Sequence, residues 1–378
     1  MSRKKAVFMP TAALLALGTV LAPQAAGVAG AQEPGERQQP EARFEEEMAV
    51  TEVQLDVLVT DRRGNVVIGL DEDDFIVEED GLSVEIADVT FYSSRRFLES
   101  AERAAELGIQ AGAVPADRHF ILFFQDPRSV LPRLTPQLLD AGRRAKQWVR
   151  SELLPNDRVA VAGYDYRLEL YQDFTTDAEA LSRAIDQAVR GAEAERWPSR
   201  QQPTEGPSLL ASVPQPSEVR GLGRRFYGGM ELLAHLAGGV PGRKNVILFS
   251  IGFGEAGAFG TYTPDSRYYP PMIQALNDNN VAVYAIDLFT TDPEARSRDN
   301  VFGNSLSSLA SDTGGRYYFN FVNFLTPLEQ VAEDNSGYYL ISYRSRHPEG
   351  ESGYQEVEVR TTNPGFRTRA REGYLYGD

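Results

Sequence analysis

The chain contains no cysteine, only three histidines and two tryptophans in 378 residues. Without cysteine there is no disulfide framework, no thiolate nucleophile or metal ligand, and no lipid-bearing cysteine to anchor a mature end. The three histidines, His119, His235 and His347, are far apart in sequence, and no Gly-x-Ser-x-Gly elbow accompanies them, which disfavours an α/β-hydrolase. A phosphate loop of the Gly-x4-Gly-Lys-Ser/Thr type and an early glycine-rich dinucleotide fingerprint are also missing. Gly221-Leu222-Gly223 has no third glycine and follows no clear strand. Paired carboxylates for glycoside chemistry stay open, because their separation is not readable from sequence. Basic residues are outnumbered, 38 against 54 acidic, for a formal charge of −16. That balance builds no broad basic face and argues against a nucleic-acid partner.

The composition that remains, 42% hydrophobic and 24% charged, is that of a globular protein long enough for two domains. Residues 1–31 read as a secretory signal: Arg3, Lys4 and Lys5, an apolar stretch from Ala6 to Leu21, and Ala29-Gly30-Ala31 as a small-residue cleavage site. The competing reading, an N-terminal membrane anchor, is opposed by Pro10 and by the small residues that follow. No later segment approaches a membrane span. The expectation is an exported protein, periplasmic or extracellular, with no transmembrane anchor after signal cleavage. Residues 32–48, rich in Gln, Glu and Pro, read as a disordered linker.

Residues 49–94 alternate apolar and polar positions (Val53, Leu55, Val57, Val59), with turns at Asp61–Asn65 and Glu79–Gly81. The acidic cluster Asp71–Asp74 lacks the alternating oxygen ligands of a calcium loop and reads as a solvated turn capping the next segment. Residues 95–117 form a connector.

The region 118–335 is organised around Arg118–Val130, in which Phe120–Gln125 is a nearly continuous apolar run broken by Asp126-Pro127. Such a run, followed by a breaker and a helical pattern, marks a strand buried on both faces of a parallel sheet. Strands at 158–164, 245–250 and 281–286 alternate with helical segments. Those segments are capped, on their spacing, by Thr135-Pro136, by Thr176 with Glu179, and by Thr326 with Glu329. Residues 191–218 hold five prolines and read as a surface insertion, and Gly252–Pro271 as a second irregular stretch. The fold class is therefore α/β, a doubly wound, mostly parallel sheet. Residues 336–378 return to short strands. The economical arrangement is one small β-sandwich built from the N- and C-terminal segments with the α/β domain inserted between them; two independent β modules are the alternative.

Several blocks carry a family likeness: VTDRRGNVVIGLDEDDFIVEEDG at 59–81, QDFTTDAEAL at 172–181, PGRKNVILFS at 241–250, VAVYAIDLF at 281–289, TGGRYY at 313–318, SGYYLISYRS at 336–345 and VRTTNPGFRTRAREGY at 359–374. On these the α/β region resembles a von Willebrand factor type A domain. The chain over roughly 50–376 looks like the von Willebrand A-related proteins typical of acidobacteria. The resemblance implies a divalent cation at the top of the sheet, held by Asp-x-Ser-x-Ser after the first strand, a threonine from a second loop and an aspartate from a third. Asp126 matches the leading aspartate, but Arg128 and Val130 occupy the serine positions and Ser129 is displaced by one. No threonine lies between Thr204 and Thr261, and Ile251 stands where the third loop's acid is expected. The metal candidates are thus Asp126 and Ser129 in a degenerate metal-ion-dependent adhesion site, with no cofactor expected and magnesium bound weakly if at all. Arg128 either supplies the cation's charge beside Asp126 or points into solvent.

The function expected is a non-enzymatic binding, adhesion or assembly module with a protein or glycan partner. A magnesium-dependent adhesion domain completed by unrecognised ligands is the alternative, and a hydrolase a more distant one. The partner-binding candidates are Arg128 and the loop aromatics Tyr262, Tyr268, Tyr269 and Phe289, with Phe302 nearby. If exposed, these aromatics suit a partner surface; if tucked under the loops, they are packing.

Overall fold

The computed structural model describes residues 48–93, 117–195, 197, 206–223, 225–256, 262–291, 303–348 and 352–376. The signal-like segment, the linker as far as residue 47, most of the connector and Phe302 lie outside them. The first strands are β1 (Met48–Thr60), β2 (Phe75–Glu79), β3 (Leu82–Ser83) and β4 (Ile86–Ser93). The α/β region runs β5 (Arg118–Gln125), α1 (Thr135–Ser151), β6 (Asp157–Tyr164), β7 (Leu168–Thr175), α2 (Ala178–Arg190), α3 (Pro216–Leu222), α4 (Phe226–Ala237) and β8 (Lys244–Ser250). It continues with the short pair β9 (Glu255–Ala256) and β10 (Tyr262–Thr263), then α5 (Tyr269–Asp278), β11 (Val281–Asp287), α6 (Gly303–Asp312), β12 (Tyr317–Tyr318) and α7 (Leu325–Asp334). The chain closes with β13 (Gly337–Pro348), β14 (Gly353–Thr361), β15 (Arg367–Arg369) and β16 (Gly373–Tyr376).

Six strands form the central sheet in the order β12-β11-β8-β5-β6-β7, parallel except for β7. Successive residues of the buried strands face opposite layers. Ile121 and Phe123 pack with α4 and α5 residues such as Met230 and Met272, whereas Phe120, Leu122 and Phe124 pack with α1, α2 and α7 through Trp148, Ile185 and Leu328. Helices on both faces explain why the strands read as continuous apolar runs. The strand order reverses between β5 and β8, so the crevice at their C-terminal ends is the topological switch point, where open α/β sheets bind ligands.

Sequence spacing missed the antiparallel edge strand β7, although Leu168 and Leu170 carry its alternation. The same edge is covered by part of the expected surface insertion. Leu209 is buried, its N–H donating to Asp173 Oδ1 at 2.9 Å. Three caps also differ from expectation. Thr135 lies inside α1, its hydroxyl donating to Pro132 O at 2.7 Å, because a short 3-10 turn over Pro132–Leu134 starts the helix earlier. Asp177, not Thr176, caps α2, accepting from Glu179 N and Ala180 N; a carboxylate there also meets the positive end of the helix dipole. Asn323 accepts from Leu325 N at 2.8 Å, leaving Thr326 within the first turn of α7.

The terminal β segments form two four-stranded sheets, β15-β1-β13-β4 and β16-β14-β2-β3. β1 pairs with β13 from Met48↔Pro348 to Val57↔Tyr339, and β2 with β14 from Phe75↔Thr361 to Glu79↔Val357. Each sheet therefore takes strands from both ends of the chain, and the two inner faces share one core of Val53, Leu55, Phe75, Tyr339, Ile341 and Val359. Glu79, expected in a turn, is instead the buried last residue of β2. The hydroxyls of Tyr374 and Tyr343 donate to its Oε1 at 2.5 and 3.1 Å, and Ser345 donates to Oε2 at 2.9 Å. The acidic cluster behaves as expected: Asp71 Oδ1 accepts from Asp73 N and Asp74 Oδ2 from Asp71 N.

The sandwich meets the central sheet at its N-terminal edge. Arg243, just before β8, donates to Asp56 Oδ2 at 3.3 Å, and Arg371 donates to Gln54 O at 3.0 Å and Asn277 O at 3.4 Å. The C-terminal edge, with the switch point, lies at the opposite end of the strands.

Candidate functional site at the switch point

β5 stops because Pro127 has no N–H to continue a ladder. Asp126 is the last residue held by the sheet, its N–H donating to Tyr164 O at 2.8 Å. Beyond it the chain turns, Val130 N and Leu131 N both donating to Pro127 O. Asp126 Oδ1 accepts the backbone N–H of Arg128 at 2.9 Å, the local turn that aspartate favours. That turn folds the Arg128 side chain back over the carboxylate. Arg128 Nε lies 2.8 Å from each carboxylate oxygen, and Nη2 donates to Oδ2 at 2.5 Å. Nη1 donates to Arg190 O at 2.5 Å, at the C-terminus of α2. The guanidinium therefore sits between a carboxylate and the negative end of a helix dipole, both of which favour a cation. Hydrogen bonding to Asp126 raises the Arg128 pKa further above its ordinary value, and Asp165 adds a second nearby negative charge. The Asp126 side chain is 8% exposed and that of Arg128 35%.

α2 ends at Gly191, whose φ of 66° is the left-handed cap that glycine adopts without strain. Its missing side chain also makes room: a Cβ there would lie 1.9 Å from Arg128 Nη2 and 2.7 Å from Asp126 Oδ2. A glycine after a helix is legible in sequence as a cap. Its role as the space for an arginine 63 positions away was not.

Across the switch point, Gln125 Oε1 accepts from the Ser250 hydroxyl, and Ser250 Oγ accepts from Gly252 N at 2.8 Å. Ile251, in place of an acid, is 3% exposed and belongs to the core. Ser129 is exposed on the turn. Asp287 is buried; its Oδ1 accepts from Phe289 N at 2.8 Å and its Oδ2 from the Tyr317 hydroxyl at 2.7 Å, so it caps its own loop. Among the described residues no group of three or more His, Cys, Asp or Glu side chains could hold a metal ion. These residues do not fit the divalent cation that the resemblance implies, which would have to displace the guanidinium already on both oxygens of Asp126.

The expected aromatic surface separates into three cases. Phe289 is 7% exposed, which removes it from the partner candidates, because its ring is packed into the core. Tyr269 is half-buried and tethered, its hydroxyl donating to Asp312 Oδ2 at 2.6 Å. Tyr268 is half-exposed, with Arg225 and Arg267 over its ring at 4.4 and 5.9 Å. Tyr262 belongs to β10, but its side chain lies outside the described residues. Arg225 and Arg267 were not singled out in the sequence: they are 42 positions apart and meet only through the fold. None of the histidines is here. His119 is buried at the start of β5, His235 lies on α4 beside Glu231, and His347 stacks on Tyr376 in the sandwich.

No protein-family model matches the chain, and no curated protein matches it. Among solved structures, proximal thread matrix protein 1 from the mussel byssus is 16% identical with a TM-score of 0.35; the match covers 57% of this chain and 47%, under half, of that protein. Another structure of that protein has a zinc-occupied MIDAS motif. The von Willebrand factor domain of the type V pili tip protein Mfa5 from Porphyromonas gingivalis is 12% identical, covering 58% of this chain and 95% of that one, with a TM-score of 0.35. The ArnB paralog VWA2 from Sulfolobus acidocaldarius is 9% identical over 87% of this chain and 75% of its own, with a TM-score of 0.34. No helix among the described residues is long and apolar enough to cross a membrane.

Proposed function

We propose that this chain is an exported, non-enzymatic binding or assembly module of the von Willebrand type A kind, akin to the acidobacterial proteins its sequence blocks resemble. On this reading it engages a protein partner at the C-terminal edge of its central sheet without a metal ion. One observation carries the reading: both oxygens of Asp126, the only residue matching the expected ligand set, are held by Arg128. The guanidinium supplies the positive charge that a divalent ion would bring to the switch point. It also ties the β5–α1 turn to the end of α2, which fixes the shape of that edge without an exchangeable ion.

Support for a binding role comes from the layout. The sandwich occupies the opposite edge of the sheet, and the switch-point edge carries exposed side chains including Val130 and Tyr166. Among the described residues no histidine, cysteine or elbow serine stands there to act as nucleophile or base.

Thermal unfolding of the mature protein with excess magnesium or manganese, against chelator, tests the metal-independent part. An ion present at a hundred times its dissociation constant adds about 2.7 kcal/mol of stability. Coincident curves are expected. A stabilising shift abolished by Asp126→Ala would replace this reading with a metal-dependent adhesion domain.

A further inference from the structure

A run of aromatic rings leads away from the Asp126 corner along the same edge of the sheet. Tyr164, whose carbonyl accepts from Asp126 N, has its ring 5.7 Å from that of Phe226. Phe226 stacks on Phe253 at 4.6 Å, Phe253 meets Tyr227 at 5.3 Å, and Tyr227 meets Tyr268 at 6.1 Å. The inner rings belong to the core. The last one, Tyr268, comes to the surface at the start of α5, and there two arginines from different segments converge on it. Arg225 comes from the N-cap of α4 and Arg267 from the turn before α5.

Both arginines are exposed. Among the described residues neither has a carboxylate within ion-pair distance, although acidic residues outnumber basic ones in the chain by 54 to 38. The acid nearest Arg267 in sequence, Asp265, is engaged locally, its Oδ1 accepting from Arg267 N at 2.8 Å. Asp265 N in turn donates to the Tyr227 hydroxyl at 2.8 Å, which fixes the turn carrying Arg267. Hydrogen bonding from Arg267, and then from Arg225, lowers the Tyr268 pKa below that of an ordinary phenol. Two guanidinium groups held against a tyrosine face, with donors left over, form a preorganised receptor for carboxylates. Apolar side chains lie on the same edge. Leu222, three residues before Arg225, is 52% exposed, and Tyr166, in the β6–β7 turn that Gly223 O joins through Leu168 N, is 69% exposed. Tyrosine and arginine with neighbouring apolar area make the composition of an interface centre.

We infer that Arg225, Tyr268 and Arg267 form the recognition point for an acidic protein segment whose carboxylates meet the two guanidinium groups and whose apolar side chains cover Tyr166 and Leu222. The inference rests on the proposed partner-binding role of this edge and specifies the partner's chemistry. Charge complementarity selects the occupant: on a chain of net charge −16, two exposed guanidinium groups with no carboxylate beside them among the described residues favour an acidic partner.

The test is fluorescence anisotropy with a labelled peptide of repeated Glu-Leu-Glu-Ala, and its Lys-Leu-Lys-Ala counterpart as control, in chelator and in magnesium. Saturable binding of the acidic peptide alone is expected, independent of magnesium and weakened by added salt. It should fall at least tenfold in Arg225→Ala/Arg267→Ala and fall also in Tyr268→Ala, while the circular dichroism of the variants stays that of the parent. Equal binding of both peptides, or an affinity unchanged in the double variant, overturns the inference. So does capture of an acidic polysaccharide such as alginate without capture of the peptide. Failure of the peptide under both conditions overturns the inference and leaves the metal-independent reading standing. Binding that requires magnesium and disappears in Asp126→Ala overturns that reading and this inference together.

Discussion

The Arg128 guanidinium occupies the space that a side chain on Gly191 would fill, since a Cβ there would stand 1.9 Å from Nη2. Gly191→Ala therefore has two costs. The left-handed φ of 66° costs a non-glycine residue about 1–2 kcal/mol, and the methyl group expels Arg128 from Asp126. A fall in melting temperature of several degrees is expected by calorimetry. Adding Arg128→Ala removes the closer clash but neither the 2.7 Å approach to Asp126 Oδ2 nor the backbone strain, so the double variant should be less unstable than the sum of the two single ones.

Asp126 and Arg128 should also be coupled. Removing Arg128 leaves an aspartate side chain that is 8% exposed without its counter-charge, a loss of about 1–3 kcal/mol. Asp126→Ala leaves the more exposed guanidinium with Arg190 O and water, and should cost less. A double-mutant cycle by urea denaturation is expected to give a favourable interaction of about 1 kcal/mol or more. Additive losses would show that the pair contributes no coupling.

His119 makes stability depend on pH. It is 1% exposed, and both ring nitrogens lack a partner. Burial lowers its pKa from 6.5 to about 4; Asp117 opposes the shift, and Lys244 and Arg158 add to it. The unfolded chain then binds a proton below about pH 6.5 that the folded chain refuses until about pH 4. Stability from this residue is complete above the upper value and is lost as pH falls to the lower one, by about 3 kcal/mol in all. Urea unfolding across that window should show the decline, and His119→Phe should flatten it. An unchanged slope in the variant would assign the acid sensitivity to other groups.

Arg118 joins three elements at the foot of the sheet. Its Nε and Nη2 donate to Asp157 Oδ1 and Oδ2 at 2.7 and 2.6 Å, and Nη1 donates to Ala332 O at 2.8 Å. Asp157→Ala strands a buried guanidinium and should cost about 3–5 kcal/mol. Replacing both residues, as Arg118→Met with Asp157→Leu, should cost less than either single alanine substitution, measured by denaturant midpoint.

The sheet was readable because its strands are buried on both faces: Phe120–Phe124, Val246–Phe249 and Val281–Ile286 carry one unambiguous signal each. β1 was readable by alternation, since Val53, Leu55, Val57 and Val59 face one core. What escaped were relationships that only tertiary structure creates. The cap of α2 moved to Asp177 because the carboxylate, not the neighbouring threonine, reaches the free N–H groups. Glu79 looked like a turn residue because the hydroxyls that surround it come from strands more than 260 positions later. At the site, Asp126 and the substituted positions 128, 130 and 251 were visible in order, but the fate of the Arg128 side chain was not. A guanidinium two residues from an aspartate is as compatible with solvent as with a closed pair. The decision lies with Gly191 and Arg190 O, which local sequence does not bring near. The aromatic loops were ambiguous for the same reason: Phe289 turned inward while Tyr268 turned out between two arginines.

The central claim, that Arg128 takes the place of a cation at Asp126, is tested most directly by titrating manganese calorimetrically into the wild-type protein and into Arg128→Ser. The wild type should give no binding heat at micromolar metal. Arg128→Ser, which lifts the guanidinium off both carboxylate oxygens, leaves only the backbone N–H of residue 128 on Oδ1 and places a hydroxyl beside them, should gain measurable affinity. Micromolar binding by the wild type that disappears in Asp126→Ala would contradict the claim and establish a metal site beneath the arginine.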